Sequence, residues 1–363
     1  MRKAYVDIIK CLAIFIVLMN HIGLIIPFVS SFGGMFYVPV FFVLAGYTYH
    51  AREERFGRFA VKKARRLLVP YLTANIVCFC LFLIRDLLAG QFGKESMMSL
   101  FGILYSRYSL YSPYLAPANE PLFMTIQNSP TWFLTALFLS YLLFALVLRG
   151  AKRFESGKGE TLTLLASAAL CLFAGVLLHY FCPILLPWSM ECIPLFAVYM
   201  LAGYFFQRVD ICEKVWGKGK IVSCFVLTAL ALLVWGGYCF VGSANISVGY
   251  FGAYVVPGLI NGITSSLLVL LLAFRLDHAP GLLSAVGQDT LPILCYHLPV
   301  FLILQTIIQA LFPGQWQDPV SGMLLRVLIV LVTVCGIVLA DRWVLPRLFG
   351  KEGLIHGRKR QAS

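Results

Sequence analysis

Ten stretches of roughly 20 mostly apolar residues follow one another along this chain, each long enough to cross the hydrocarbon core of a bilayer as a helix. They cover about 7-28, 34-50, 67-89, 131-149, 161-181, 191-207, 220-241, 252-274, 290-311 and 321-345. A backbone surrounded by lipid must pair its own polar groups, which leaves helices as the form for such segments. The expected fold class is therefore an all-α integral membrane bundle of about ten transmembrane helices. Composition agrees: the chain is 60% hydrophobic and 12% charged, against about 45–50% and about 25% in soluble domains.

The cations fix an orientation. Residues Arg2, Lys3 and Lys10, then Arg52, Arg55, Arg58, Lys62, Lys63, Arg65 and Arg66, fall on one side of alternating crossings. Arg149, Lys152, Arg153, Lys158, Arg208, Lys214, Lys218, Lys220 and Arg275 join them, as do Arg342, Arg347, Lys351, Arg358, Lys359 and Arg360. That is 25 of the 29 Lys and Arg residues, and the positive-inside rule places this side, with both termini, in the cytosol. The net charge of +13 thus reads as topology rather than nucleic-acid binding. The first apolar segment runs too long for a cleavable signal. One membrane domain over 1-345 and a basic cytosolic tail over 346-363 are expected, with no separate extramembrane catalytic domain.

The exceptions are Arg85, Lys94, Arg107 and Arg326. Arg85 stands beside Asp86, which suggests a local pair that snorkels. The long loop at about 90-130 carries Tyr105, Tyr108, Tyr111 and Tyr114, readable as an interfacial aromatic belt or a sugar-stacking rim. Eleven cysteines, mostly in apolar segments and with no Cys-x-x-Cys pair of metal-ligand spacing, read as small buried hydrophobes, and no metal is expected. Cys182 and Cys192 flank one loop, where a disulfide is conceivable.

Ionisable groups inside a membrane helix are costly and usually functional. The first segment carries three: Asp7, Lys10 and His21. Lys10 and His21 are eleven residues apart, which returns them to one helical face about 16 Å apart along the axis. Asp7 and Lys10 are three apart and can pair. A neutral imidazole deep in the membrane could take a proton from a hydroxyl; the alternative is a structural histidine bonded to another helix.

In Phe59-Ala-Val-Lys62-Lys63-Ala-Arg65-Arg66-Leu-Leu-Val-Pro70-Tyr71, four cations within five residues exceed what orientation requires. If helical, Lys62 with Arg65, or Lys63 with Arg66, stands at i,i+3 and could grip a polyphosphate from the cytosol; topology anchoring alone is the alternative. Gly287-Gln-Asp-Thr-Leu-Pro292 reads as a helix start with Asp289 or Thr290 as N-cap, placing Tyr296 and His297 a few turns in, before Pro299. Trp132 opens the fourth helix after Ser-Pro-Thr, as an interfacial anchor or a ligand platform. Pro39 to Gly46-Tyr47 and Pro194 to Gly203-Tyr204 share a pattern whose Ala-Gly pair lets another helix approach closely.

Asp7-x-x-Lys10 with His21, Pro39-Val-Phe-Phe-Val-Leu-Ala-Gly-Tyr47, the basic run ending Arg65-Arg66-Leu-Leu-Val-Pro-Tyr71, Thr131-Trp132-Phe-Leu and Tyr296-His297-x-Pro299 together resemble acyltransferase family three, the bacterial membrane O-acyltransferases, and most of all its fucose 4-O-acetylase-like branch. The resemblance covers nearly the whole chain in order. It implies a ten-helix core that moves an acetyl or other short acyl group from cytosolic acetyl-CoA or another acyl-CoA to a hydroxyl of a cell-surface or lipid-linked carbohydrate. It maps the catalytic histidine to His21, with Lys10 and Asp7 as companions, and the CoA-phosphate cations to Lys62, Lys63, Arg65 and Arg66. Trp132, Tyr296 and His297 are candidate substrate contacts. Lys10 stands where the family usually has arginine, and lysine keeps the charge without the planar fork. Expected partners are acyl-CoA, a carbohydrate acceptor and the bilayer of the cell membrane, with no nucleic acid; a homo-oligomer is left open. A transporter or flippase and a non-catalytic ligand-binding membrane module are the rival readings.

Overall fold

The computed structural model describes residues 3–26, 29, 35–50, 54–107, 126–154, 157–182, 184–276 and 281–344. In chain order the helices are α1 (Ala4–His21), α2 (Pro39–Tyr47), α3 (Phe56–Leu88), α4 (Lys94–Tyr105), α5 (Trp132–Ala151), α6 (Gly157–Phe181) and α7 (Ile193–Arg208). They continue as α8 (Ile211–Gly217), α9 (Lys220–Val241), α10 (Val255–Phe274), α11 (Gly281–Gln288), α12 (Thr290–Leu311), α13 (Pro313–Gln317) and α14 (Pro319–Leu339). Among the described residues nine helical stretches, built on α1, α3, α5, α6, α7, α9, α10, α12 and α14, are long and apolar enough to span a bilayer, that of α7 counted from Pro187. The chain is an all-α integral membrane bundle. The expected tail at 346-363 lies outside the described residues, as do Tyr108, Tyr111 and Tyr114.

The expected segments over 220-241 and 290-311 coincide with α9 and α12, but three others differ for identifiable reasons. The first helix stops at His21 rather than at 28, because Gly23 adopts φ +71. A left-handed glycine there turns the chain so that Gly23 N–H donates to Asn20 O and Leu24 N–H to Met19 O, satisfying carbonyls that the helix leaves open. His21 is consequently the last helical residue. Among the described residues the expected crossing over 34-50 is not one continuous helix: Met35 and Phe36 are helical and α2 then runs for nine residues, about 14 Å, ending where Tyr47 hydrogen-bonds Tyr5 at 2.8 Å, at the level where α1 starts. The third helix begins at Phe56 instead of 67, so the whole basic run is helical.

The two Ala-Gly segments find each other. A Cβ on Gly46 would lie 1.8 Å from Met200 O, and one on Gly203 would lie 1.9 Å from Val43 O. Each glycine thus faces the carbonyl three residues before the other, and α2 and α7 cross backbone to backbone. Small residues permit such a crossing in a membrane, where packing rather than water exclusion joins helices. Phe42 stacks on Phe196 at 4.4 Å alongside it. A second close crossing sets α11 on α1, where a Cβ on Gly287 would lie 1.8 Å from Asp7 O.

Several charges away from this centre have partners. Arg85 Nη2 meets Asp86 at 2.7 Å, the local pair its sequence suggests. Arg107, fully buried just after α4, meets Glu191 at 3.0 Å and donates to Ser189 Oγ. Ser189 and Trp188 both hold positive φ, 59 and 56, in the turn Pro187–Cys192, and Trp188 Nε1 donates to Leu104 O at 2.8 Å. Tyr105 donates to Leu185 O. Arg326 lies over the Trp316 ring, 4.3 Å from its centroid. Cys182 and Cys192 are both free thiols, so the disulfide between them is not formed.

Candidate active site

A cavity of about 890 Å³ runs through the centre of the bundle, within the size range of sites that hold a cofactor or small ligand. Its α1 wall consists of Lys10, Ile14, Val17, Asn20 and His21. The spacing of 10, 14, 17 and 21 is one helical stripe, and the His21 ring is open to the cavity. Lys10 Nζ sits 3.7 Å from the carboxylate of Asp7, which is buried outside the cavity wall at 2% exposure. That carboxylate partly balances Lys10 and, because α11 presses on the Asp7 backbone, holds the α1 stripe in register with its neighbours.

The α3 wall consists of Phe59, Lys62, Lys63, Arg66 and Leu67, again a helical face at i, i+3, i+4, i+7 and i+8. Beginning α3 at Phe56 puts the basic run on this wall. Three of the four expected cations face the cavity, whereas Arg65, about 100° around the helix from Arg66, does not line it. Lys62 Nζ is 3.9 Å from Glu54. Lys63 Nζ lies 3.3 Å from the centroid of the Tyr141 ring, a cation–π contact that ties α3 to α5. Arg149 donates to Glu54 O at 2.8 Å and fixes the segment before α3.

Trp132 begins the α5 wall, and Tyr141 lies nine residues, about 14 Å, further along it. The wall thus leads from the start of α5 to the Lys63 contact. The other end carries neutral polar groups: Asn20, Ser129, Ser243, Asn245 and Ser247. The last three lie between α9 and α10, where Asn245 bridges Tyr250. One cavity therefore joins a cationic end to an imidazole and to a neutral, hydroxyl-rich end.

Tyr296 and His297 do not line it. His297 is fully buried behind His21, with their ring centroids 5.2 Å apart. Asp289 occupies the N-cap position of α12, but its carboxylate binds Arg342 Nε at 2.6 Å and ties the start of α12 to the segment after α14. Pro299, inside α12, cannot donate to Cys295 O; Asn128 Nδ2 does so at 2.8 Å. Thr131 Oγ1 donates to Asn128 O, and Asn75 Nδ2 donates to Thr131 Oγ1 at 2.8 Å. This chain of bonds joins α3, the start of α5 and α12 behind the site. Asn20, Asn128, Tyr141 and Asn245 were not legible as site residues. The one available hint was Pro299, which leaves a carbonyl in need of a distant donor.

The fold and the cavity define a multi-pass membrane protein with a central chamber that can hold an anion at one end beside a base further in. A family model described as an acyltransferase domain matches residues 3–342, and the chain belongs to acyltransferase family 3. No curated protein and no solved structure matches it.

Proposed function

We propose that the chain is an O-acyltransferase of the cell membrane that takes an acetyl or other short acyl group from cytosolic acyl-CoA and delivers it to a hydroxyl of a cell-surface or lipid-linked carbohydrate. The observation that carries this reading is that Lys62, Lys63, Arg66, Lys10 and His21 line one continuous cavity. The α3 cations receive the CoA phosphates, where charge-assisted hydrogen bonds to a polyanion are strongest, with Arg65 adding long-range attraction from outside the wall. The narrow acyl-bearing arm of the donor extends past Lys10, and about 16 Å of α1 separates Lys10 from His21. The neutral end, with Trp132 and the Ser and Asn side chains, receives the polyhydroxylated acceptor, and His297 backs His21 from α12.

His21 accepts the proton of the acceptor hydroxyl as its oxygen attacks the thioester carbonyl. The C–S bond breaks, the thiolate leaves, and the proton passes from His21 to sulfur, giving the ester and free CoA. Lys10, held by Asp7, supplies positive charge along the path of the donor, on the same helical stripe as His21.

Purified protein in detergent, incubated with radiolabelled acetyl-CoA and a panel of carbohydrate acceptors, should release CoA and label an acceptor. His21→Ala should reduce transfer by at least about 100-fold while acetyl-CoA still binds. Undiminished transfer by that variant would remove His21 from the base role. Movement of an intact substrate across liposomes without CoA release would instead identify a carrier.

A further inference from the structure

The imidazole of His297 has a chemistry that packing does not explain. Its Nδ1 lies 2.9 Å from Ile293 O and 3.1 Å from Leu294 O. Carbonyl oxygens only accept, so Nδ1 carries the proton, and Nε2 of the neutral ring is an acceptor. That Nε2 is buried without a hydrogen-bond partner. A buried polar atom left unpaired is expensive, and an apolar side chain would fill the same space without that cost. The bonds from Nδ1 aim one edge of the ring at its own helix, so the opposite edge, with Nε2, points away from α12.

The imidazole of His21 is the neighbour outside α12, its centroid 5.2 Å from that of His297. Ring nitrogens lie about 1.1 Å from the centroid, so two imidazoles at this separation can bring facing nitrogens to about 3 Å, within hydrogen-bond range. Catalytic hydrogen bonds are commonly long before substrate binds and shorten in the loaded complex. The helix and the ring are each held by a further contact. Asn128 takes up the Cys295 carbonyl that Pro299 frees, and Phe301 packs edge-on against His297 at 5.5 Å.

We propose that His297 is a positioning residue for His21: its Nε2 accepts a hydrogen bond from the N–H of His21, fixing the tautomer that turns the other His21 nitrogen, with its lone pair, into the cavity. His297 touches no substrate, being fully buried. The inference rests on the acyltransferase reading and adds to it a two-histidine relay that spans α1 and α12. When His21 takes the acceptor's proton, the partner Nε2 stabilises the resulting imidazolium, and the proton leaves with the CoA thiol. No net charge stays on either ring after turnover.

The test combines kinetics with ¹⁵N NMR of histidine-labelled protein, using His21→Ala to assign the His21 signals. His297→Phe keeps a ring without the acceptor, and His297→Gln restores an acceptor oxygen near the Nε2 position. For His297→Phe we expect kcat to fall about 100-fold, KM for acetyl-CoA to stay within about 2-fold, and His21 to change from one tautomer to a mixture. His297→Gln should recover at least about 10-fold of kcat, with His21 returned to its single tautomer. An unchanged His21 tautomer in His297→Phe would overturn the proposal, whatever the rate. Equal loss of kcat and of acetyl-CoA binding in both variants would also overturn it, by reducing His297 to a fold residue. If the wild type shows no acyl transfer, the acyltransferase reading fails, while the NMR comparison still decides whether His297 sets the His21 tautomer.

Discussion

Replacing Lys62, Lys63 and Arg66 together with glutamine should weaken acyl-CoA binding far more than replacing Arg65 alone, although all four cations lie within five residues. The structure separates them by helical phase: 62, 63 and 66 share the cavity wall, and Arg65 does not. Lys62 and Arg66 are solvent-exposed and Lys63 is half-buried, so each contact with a phosphate is worth about 1 kcal/mol, near the upper range for wet ion pairs. The sum, about 3 kcal/mol, corresponds to roughly a 100-fold rise in Kd. Part of the Lys62 share is offset by Glu54, with which it already pairs at 3.9 Å. Isothermal titration of CoA into detergent-solubilised protein measures the change. Repeating it between about 0.05 and 0.5 M salt should weaken the wild type and leave the triple variant nearly flat, because screening acts on the charges removed. Arg65→Gln should stay within about 3-fold of wild type. If Arg65→Gln costs as much as the triple variant, or if the triple variant binds normally, the α3 wall is not the phosphate site.

Two further predictions concern the frame around the cavity. Glu191→Gln keeps the shape of the side chain but leaves the buried Arg107 with no opposing charge; a loss of about 3–5 kcal/mol is expected for such a break, read as a large drop in the thermal unfolding midpoint. Wild-type stability would show that Ser189 alone satisfies the guanidinium. Gly203→Ala places a methyl 1.9 Å from Val43 O, and separating α2 from α7 should cost about 1–3 kcal/mol, whereas Ala at the unobstructed Gly236 should be tolerated. Equal midpoints for the two alanine variants would refute the backbone crossing.

The membrane helices were legible because a lipid environment reduces their prediction to length and hydropathy, and for α9 and α12 even the ends followed. The end of α1 was not read, since it depends on Gly23 at φ +71, and a glycine within an apolar run gives little sign of being a stop. The unbroken length of α2 was overestimated because apolar composition does not show where a helix is interrupted, here at Tyr37 and Val38. Within the site, Lys10 and His21 were readable as one stripe because both lie on one helix. The basic run was readable as a cluster, but which of its cations face inward depended on where α3 begins. The partnership of Asn128 with Cys295 O joins residues 167 apart, and the meeting of His21 with His297 depends on that fold. No spacing rule on a single chain reaches such contacts.

The uneven charge along the cavity wall has a consequence for how the two reactants are sensed. At one mouth, ammonium and guanidinium groups draw an anionic ligand in from several ångströms, with little regard for its exact shape. At the other, amides and hydroxyls from Asn20, Ser129, Ser243, Asn245 and Ser247 exert no such pull and act only at contact. On the acyl-transfer reading proposed above, discrimination among sugars that differ in the direction of a single oxygen falls to the neutral mouth, and ionic strength should govern how the thioester is captured while leaving the choice of alcohol almost untouched.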